Sequence, residues 1–275
     1  KVYVKEMPEV FGREALEAAI DTKWVGKHIC YFKELDSTNA RAKQEADNGA
    51  AEGTLVVTDM QTAGRGRLVI SWNSPAGVNV YFTLILKPGY QPDKAAMVTL
   101  VMALAVAEGI SLTCGLEAEI KWPNDVVVNG KKVCGILTEM SMEHGRVRHV
   151  AVGVGVNVGL QEFPPEIADK AASLEAECKK SVSRVALAAN ILRAFEKHYD
   201  SFRQELSLSC IQEKYNGRLV NRDREVRVLD PKGEFQGIAR GINEFGELLV
   251  ERDDGSVTMV FAGEVSVRGL YGYTV

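Results

Sequence analysis

The chain has 275 residues, of which 46% are hydrophobic and 25% are charged, and its formal net charge is −4. A chain of this length can bury one large core and a smaller second one, and the composition is ordinary for a soluble globular protein. The small negative charge gives no bulk attraction to nucleic acid. Five scattered cysteines without Cys-x-x-Cys spacing argue against a disulfide framework and a zinc site, and they suit a reducing cytosol.

Two observations concern membranes and targeting. The longest apolar runs, such as residues 97–106, are too short to span a bilayer. No signal-peptide pattern opens the chain. We therefore expect a cytoplasmic protein that does not contact a membrane.

The N-terminal part is predicted to be a linker segment over residues 1–25. Residues 1–5 alternate as a strand does, and residues 12–22 place Leu16, Ala19 and Ile20 at helical spacing. A strand over residues 29–32 then leads to a predicted helix over residues 40–48, with Ser37 or Thr38 as its N-cap. A helix N-terminus beside a strand end presents backbone N–H groups to a ligand oxygen.

A glycine-rich loop with two arginines follows a predicted strand over residues 54–60. Its sequence is Gln61-Thr62-Ala63-Gly64-Arg65-Gly66-Arg67. Glycines let a ligand approach the backbone closely, and arginine side chains suit bidentate contact with phosphate or carboxylate. This pattern predicts a loop that closes over an anionic ligand.

A second set of motifs follows strand 78–86 and an apolar core helix over residues 93–111. The turn Asn129-Gly130 between apolar runs is a strong hairpin signal, so the segment from Trp122 to Asp125 is expected near the second strand. Lys132 begins that strand, and Gly135 follows where a side chain would obstruct a ligand. Residues 153–158 predict a further strand with two glycines on one face.

The C-terminal fifth changes in pattern after a predicted helix over residues 183–204. Short strands at residues 226–228, 248–250 and 257–261 are broken by turns at residues 230–233 and 253–255. Five short strands in about fifty residues are typical of a small β-barrel.

Taken in order, these motifs resemble the pattern of the biotin protein ligase family. They are Ser37-Thr38-Asn39, Gly64-Arg65-Gly66-Arg67, Lys121-Trp122-Pro123-Asn124-Asp125, Lys132-x-x-Gly135-Ile136-Leu137 and Gly153-x-Gly155-x-Asn157. The resemblance implies an α+β fold class. A mixed-sheet catalytic domain of the biotin/lipoate ligase type would cover residues 26–220, and a small all-β SH3-like domain would cover residues 221–275. Residues 262–265 match the usual closing strand of that domain.

The resemblance also implies two-step chemistry on biotin as substrate. Biotin carboxylate attacks the α-phosphorus of ATP, and a lysine amine of a biotin carboxyl carrier protein then displaces AMP. Both steps need dispersed negative charge to be stabilised, which is the role implied for the catalytic residues Lys132, Arg65 and Arg67. Mg²⁺ is expected to arrive with ATP, so no metal-binding residue is predicted.

The binding residues implied by the resemblance fall into two groups. Those for biotin are Ser37, Thr38, Asn39, Gln61, Gly64, Arg65, Gly66, Arg67, Lys132, Gly135 and Gly153. Those for ATP or the adenylate are Arg65, Arg67, Trp72, Asn124, Asp125, Lys132 and Asn157. Structural roles stay open beside these. Asn124 and Asp125 would serve equally well to cap the hairpin, and Trp72 also fits a core aromatic.

One departure from the family pattern follows the arginine loop. Many members have Leu-Gly-Arg before the tryptophan, whereas this chain has Leu68-Val69-Ile70-Ser71-Trp72. The change removes one cation from the phosphate side of the loop. We expect either that adenylation is weaker than in a typical member or that another residue supplies the charge. The competing expectation is that Val69 and Ile70 pack apolar surface when the loop closes.

Two alternative functions remain open at this point. A lipoate or octanoate ligase shares the fold and the acyl-adenylate logic. A biotin-responsive transcriptional co-repressor would need a DNA-binding domain before Lys1, since a helix-turn-helix domain takes about sixty residues that this chain as given lacks. No DNA binding is therefore expected of the chain as given, and a homodimer is possible.

Overall fold

The structure is a computed structural model, which describes residues 9–67, 71–262, 266–269 and 273. The predictions made for residues 1–5, for residues 69 and 70, and for residues 263–265 lie outside the described residues.

A seven-stranded mixed sheet forms the centre of the larger domain. Its strands are β1 (Ile29–Phe32), β2 (Leu55–Thr58), β3 (Val80–Leu86), β4 (Glu119–Lys121), β5 (Asp125–Val128), β6 (Lys131–Glu143) and β7 (Arg146–Val156). Their order is β1-β2-β3-β7-β6-β5-β4, and β1 pairs with β2 in parallel while the other pairs are antiparallel. The predicted hairpin at Asn129-Gly130 is confirmed as the β5–β6 connection.

Helices cover both faces of this sheet. They are α1 (Arg13–Ala19), α2 (Thr38–Asp47), α3 (Pro92–Cys114), α4 (Leu174–Cys178), α5 (Arg184–Glu205) and α6 (Gln212–Gly217). Ala42 and Ala46 of α2 pack on one face with Val56 and Ile85, and α3 and α5 pack together on the other face. The Asn39 side chain of the first predicted motif lies against Gly153 of another on this α2 face.

Helix α3 is longer than the apolar run noted in the sequence. By length and composition it would suffice to cross a membrane, but 72% of its apolar window is buried inside the fold. It packs against α5 and against strands of the central sheet. These contacts make α3 the core helix that the sequence predicted.

The described part of the predicted linker, residues 9–25, packs on the catalytic domain. Leu16 of α1 is fully buried, and α1 contacts α5. The Glu196 carboxylate of α5 accepts hydrogen bonds from the backbone N–H groups of Lys23, Trp24 and Val25 at 2.8–3.0 Å. This segment is therefore integrated into the fold rather than extended between domains.

The C-terminal part forms the expected small all-β domain. Its strands are β8 (Glu225–Leu229), β9 (Phe235–Ile242), β10 (Leu248–Glu251), β11 (Val257–Val260) and β12 (Ser266–Gly269), in the antiparallel order β11-β10-β9-β8-β12. Trp122, which is 2% exposed, donates its indole N–H to the carbonyl oxygen of Gly246 at 3.0 Å. This bond ties the β4–β5 connection to the turn between β9 and β10.

We predict that Trp122→Phe lowers the free energy of unfolding by about 2 kcal/mol, since it leaves a cavity and a buried carbonyl without its donor. Trp24→Phe is the matched control, because the Trp24 indole N–H donates to Asp200 at 3.1 Å at a half-buried position. Water can replace that bond, so a loss below about 1 kcal/mol is expected. Urea unfolding followed by circular dichroism measures both variants. Equal losses would contradict a special role for the Trp122 contact.

Candidate functional site

A strip of three glycines on β6 and β7 forms the floor of the site. A Cβ at Gly153 would lie 2.1 Å from Asn39 Oδ1, and one at Gly155 would lie 2.7 Å from Trp72 Nε1. A Cβ at Gly135 would lie 2.9 Å from the Trp72 ring. Only glycine at these positions allows the two side chains to lie directly against the sheet.

A buried polar network joins the start of α2 to this sheet. The Thr38 backbone N–H donates to Gln61 Oε1 at 2.9 Å, and the Thr38 hydroxyl donates to the same oxygen at 3.2 Å. Thr83 Oγ1 on β3 lies 2.8 Å from Thr38 Oγ1 and donates to Asn39 Oδ1 at 2.6 Å. Gln61 Nε2 donates to Ser74 Oγ at 2.9 Å. The network links the helix, the sheet and the arginine loop.

The Asn39 side chain is engaged by the protein itself. Its amide nitrogen donates to the Leu137 carbonyl at 3.2 Å and to Glu139 at 2.8 Å, and Glu139 pairs with Lys43 at 2.9 Å. Ser37 is the N-cap of α2, as predicted, and its hydroxyl accepts from the Ala40 N–H. The first turn of α2 is therefore already held in place by side chains.

The arginine loop is closed at its base by backbone contacts. Trp72 N–H donates to the Gly64 carbonyl at 2.9 Å, and Arg65 bridges to Ser71. Gly64 is buried, and a Cβ there would lie 2.5 Å from the Trp72 carbonyl oxygen. Gly64 thus allows a close backbone approach within the protein, and it does not line the clefts described below.

The two arginines of the loop differ in environment. Arg65 is exposed, whereas Arg67 is half-buried and donates to Ser266 Oγ of the C-terminal domain at 3.4 Å. Burial lowers the pKa of Arg67, and the nearby charge of Asp125 opposes that effect. Arg67 therefore has a protein partner that the sequence did not indicate.

Lys132 and Asp125 form the charged centre of the site. Lys132 Nζ lies 2.7 Å from Asp125 Oδ1 and 5.2 Å from the centre of the Trp72 ring. Asp125 lies opposite Gly135 in the β5–β6 pairing, so the carboxylate is directed to the glycine strip. Burial alone would raise the pKa of Asp125, but the charges of Lys132 and Lys121 bring it below its usual value.

Two clefts meet at this charged centre. The smaller has a cavity volume of about 50 Å³, and the predicted residues that line it are Ser37, Thr38, Asn39, Gln61, Arg65, Gly66, Arg67, Trp72, Asn124, Lys132, Gly135 and Gly153. The larger has a cavity volume of about 360 Å³ and reaches the C-terminal domain. Gly66, Arg67, Trp72, Asn124 and Lys132 line both.

The larger cleft contains two predicted residues that the smaller one lacks, Asp125 and Asn157. The Asn157 amide nitrogen donates to the Ala172 carbonyl at 3.3 Å, so this side chain also holds the following segment against the sheet. Asn124 is anchored similarly, since its amide nitrogen donates to the Ile136 carbonyl at 3.1 Å. Among the described residues, no group of three or more His, Cys, Asp or Glu side chains is arranged to hold a metal ion.

Several residues of the site escaped sequence reasoning. Those that line the larger cleft include Lys121, Phe163, Ile167, Lys170, Arg268 and Tyr273. They come from separate parts of the chain, so no local motif marks most of them. Thr83 had a weak signal, since it is a hydroxyl residue within an otherwise apolar, fully buried strand.

We predict that Thr83→Val lowers the free energy of unfolding by about 1–3 kcal/mol, since buried Asn39 Oδ1 loses its donor. Thr99→Val is the control, because it makes the same change in a hydroxyl pair with Thr138, 2.7 Å away and only half-buried, on the α3 face. Water can replace that partner, so a loss below about 1 kcal/mol is expected. Chemical unfolding of both variants provides the comparison, and equal losses would argue against a stabilising role for the network.

Comparison with known proteins connects this geometry to a family. Residues 31–157 match the Biotin/lipoate A/B protein ligase family, and residues 223–268 match the Biotin protein ligase C terminal domain. The chain is 37% identical over 262 residues to the bifunctional ligase/repressor BirA of Bacillus subtilis, covering 94% of this chain and 80% of that protein. It is 33% identical to the biotin–[acetyl-CoA-carboxylase] ligase of Paracoccus denitrificans, covering 85% and 98%.

A solved structure shows the same fold. The biotin protein ligase of Aquifex aeolicus in complex with biotin and ATP aligns with a TM-score of 0.78 and 31% identity, covering 88% of this chain and 99% of that one. Both domain matches point to the same family. The sequence identity to the relatives and the agreement in fold support it. The chain belongs to the biotin protein ligase family.

Proposed function

We propose that the chain activates biotin with ATP and transfers the biotinyl group to one lysine of a biotin carboxyl carrier protein. The observation that carries this proposal is the position of Lys132, which lines both clefts at their junction. An ammonium group there is within reach of an acid in one cleft and a phosphate in the other. Joining an acid to the α-phosphate requires this placement of charge.

The smaller cleft suits biotin. Gln61 and Thr38 supply amide and hydroxyl groups for a ureido ring, and the glycine strip leaves room above the sheet for the ring system. We propose that the other predicted residues that line this cleft, Arg65 and Gly66 among them, also bind biotin.

The larger cleft suits ATP. Its cations, Arg67, Lys121, Lys132, Lys170 and Arg268, outnumber its acids, Asp125 and Glu166, so it favours a polyanion such as a triphosphate. Mg²⁺ would enter as part of this substrate and neutralise phosphate oxygens, since it is usually bound through phosphates and few protein ligands. Trp72, Asn124 and Asn157 are proposed to contact the adenylate.

The first step joins biotin to AMP. A carboxylate oxygen of biotin attacks the α-phosphorus of ATP, the bond to the bridging oxygen breaks, and pyrophosphate leaves. Lys132, Arg65 and Arg67 would stabilise the negative charge on the phosphate oxygens. Asp125 holds the Lys132 ammonium group at the junction through an ion pair of 2.7 Å before the nucleotide binds.

The second step uses the carrier lysine. Its neutral ε-amine attacks the acyl carbon of biotinyl-5′-adenylate, the acyl–oxygen bond breaks, and AMP leaves with the electron pair. No residue of this chain forms a covalent intermediate in this scheme. The arginine loop is proposed to close over the adenylate and exclude water until the carrier docks.

Between the alternatives, biotin is favoured over lipoate because the C-terminal match is to a biotin protein ligase domain and the curated relatives are biotin ligases. The relative from Bacillus subtilis is named a bifunctional ligase/repressor. The described residues of this chain form the two clefts and the small C-terminal domain. We assign only ligase chemistry to these residues. We further propose that the enzyme works in the cytoplasm, where its carrier would be found.

We predict that Lys132→Ala removes most adenylation while leaving the fold intact. Losing one such charge costs about 2–4 kcal/mol at the transition state, which is a factor of about 30–1000 in rate. Pyrophosphate release with biotin and ATP measures the effect. Lys131→Ala is the control, because Lys131 is the exposed neighbour on the same strand and lines neither cleft. Near-normal turnover in the Lys132 variant would exclude it from the mechanism.

We also predict that ligands protect the arginine loop from proteolysis. Tryptic cutting after Arg65 or Arg67 should slow when biotin and ATP are both present, since the adenylate supplies partners for these cations. Cutting after exposed Lys232, in a turn of the C-terminal domain, is the internal control and should not change. Loop cutting at the same rate with and without ligands would rule out closure.

A further inference from the structure

Tyr273 lines the larger cleft from the C-terminal end of the chain. Its hydroxyl donates a hydrogen bond to Asp125 Oδ2, and its ring centre lies 4.3 Å from Lys121 Nζ. The match to the family's C-terminal domain ends at residue 268, so this residue lies beyond it. The contacts therefore assign a role to Tyr273 that the family resemblance does not.

The Asp125 carboxylate acts electrostatically on two ammonium groups, those of Lys132 and Lys121. Lys132 lies against Oδ1 at 2.7 Å, while Lys121 is only 8% exposed and feels the same negative charge. Burial lowers the pKa of Lys121 to about 8, against the opposing effect of Asp125. The orientation of the Asp125 carboxylate therefore determines whether Lys132 or Lys121 is neutralised more strongly.

The two contacts of Tyr273 determine which of the two lysines the Asp125 carboxylate contacts. The Tyr273 hydroxyl donates to Asp125 Oδ2, so that Asp125 Oδ1 is the oxygen that contacts Lys132. Its ring covers Lys121 and stabilises that cation through its π face without a second carboxylate. Both cations are then held at the wall of the cleft, with a single acid between them.

We propose that Tyr273 is a positioning residue of the nucleotide half-reaction, holding Asp125 on Lys132 and covering Lys121 so that both ammonium groups face the phosphates of bound ATP. The inference rests on the proposed function, because it assigns the triphosphate to this cleft. Tyr273 acts through its two neighbours, and biotin binding in the smaller cleft is independent of it.

The test is Tyr273→Phe, which removes the hydroxyl and keeps the ring. The KM for ATP in biotinyl-adenylate formation, and the Kd of α,β-methylene-ATP for the biotin-free protein, should each rise about tenfold, the usual effect of losing a hydrogen bond to a charged group. The kcat should fall less than about threefold, because the phosphates are bound in both the ground and transition states. The Kd of biotin alone should stay within about twofold.

Two further variants separate positioning from a general structural effect. Tyr215→Phe removes the hydroxyl of a fully buried tyrosine that lines neither cleft and has no hydrogen-bond partner for that hydroxyl in the described chain, so ATP kinetics should not change. In the Asp125→Asn background, adding Tyr273→Phe should change the KM for ATP by less than about twofold, because its effect is transmitted through Asp125.

The outcomes that overturn the inference are distinct from failure of the proposed function. If the wild-type protein forms no biotinyl-adenylate, the proposed function is wrong. If it does, and Tyr273→Phe has an unchanged KM for ATP or the same tenfold effect in the Asp125→Asn background, only the inference is wrong. An equal loss of biotin affinity in Tyr273→Phe would likewise overturn it.

Discussion

Gly135, Gly153 and Gly155 leave a strip of bare backbone on β6 and β7, and the side chains of the site are arranged against it. Asn39 comes within 2.1 Å of where a Gly153 Cβ would lie, and Trp72 within 2.7 Å of the Cβ position of Gly155. Any side chain on this strip would push the start of α2 and the base of the arginine loop away from the sheet. The width of the smaller cleft therefore depends on the absence of a Cβ atom at these three glycines.

Electrostatics are the second organising feature. The charged centre places one buried acid, Asp125, among Lys121, Lys132 and Arg67, so the unliganded cleft carries excess positive charge. A buried ion pair contributes little to stability unless it is well compensated, and the surplus cations here are better explained by a polyanionic ligand than by folding. The same charges that would bind the triphosphate keep Asp125 ionised.

The C-terminal domain contributes to the larger cleft, which we propose binds the nucleotide. Ser266 contacts Arg67, Arg268 and Tyr273 line the larger cleft, and Trp122 donates a hydrogen bond to Gly246. The proposed domain boundary near residue 221 therefore separates two folds, but residues from both sides of it line the larger cleft. A substitution in the small domain can accordingly change nucleotide binding without touching the catalytic sheet.

The residues that meet around Lys132 were implied by the resemblance to the family pattern. Local signals in the sequence were enough to predict most strands and helices, the Asn129-Gly130 hairpin and a helix N-cap at Ser37 or Thr38. Each of these depends on turn chemistry, capping or periodicity, which act over a few neighbouring residues. The contacts of Arg67 with Ser266, of Asp125 with Tyr273 and of Asn39 with Thr83 span 44–199 positions in the chain. No local pattern encodes such pairs. They were decided by the sheet order and by the packing of the second domain, because only the folded chain brings these side chains within hydrogen-bonding distance.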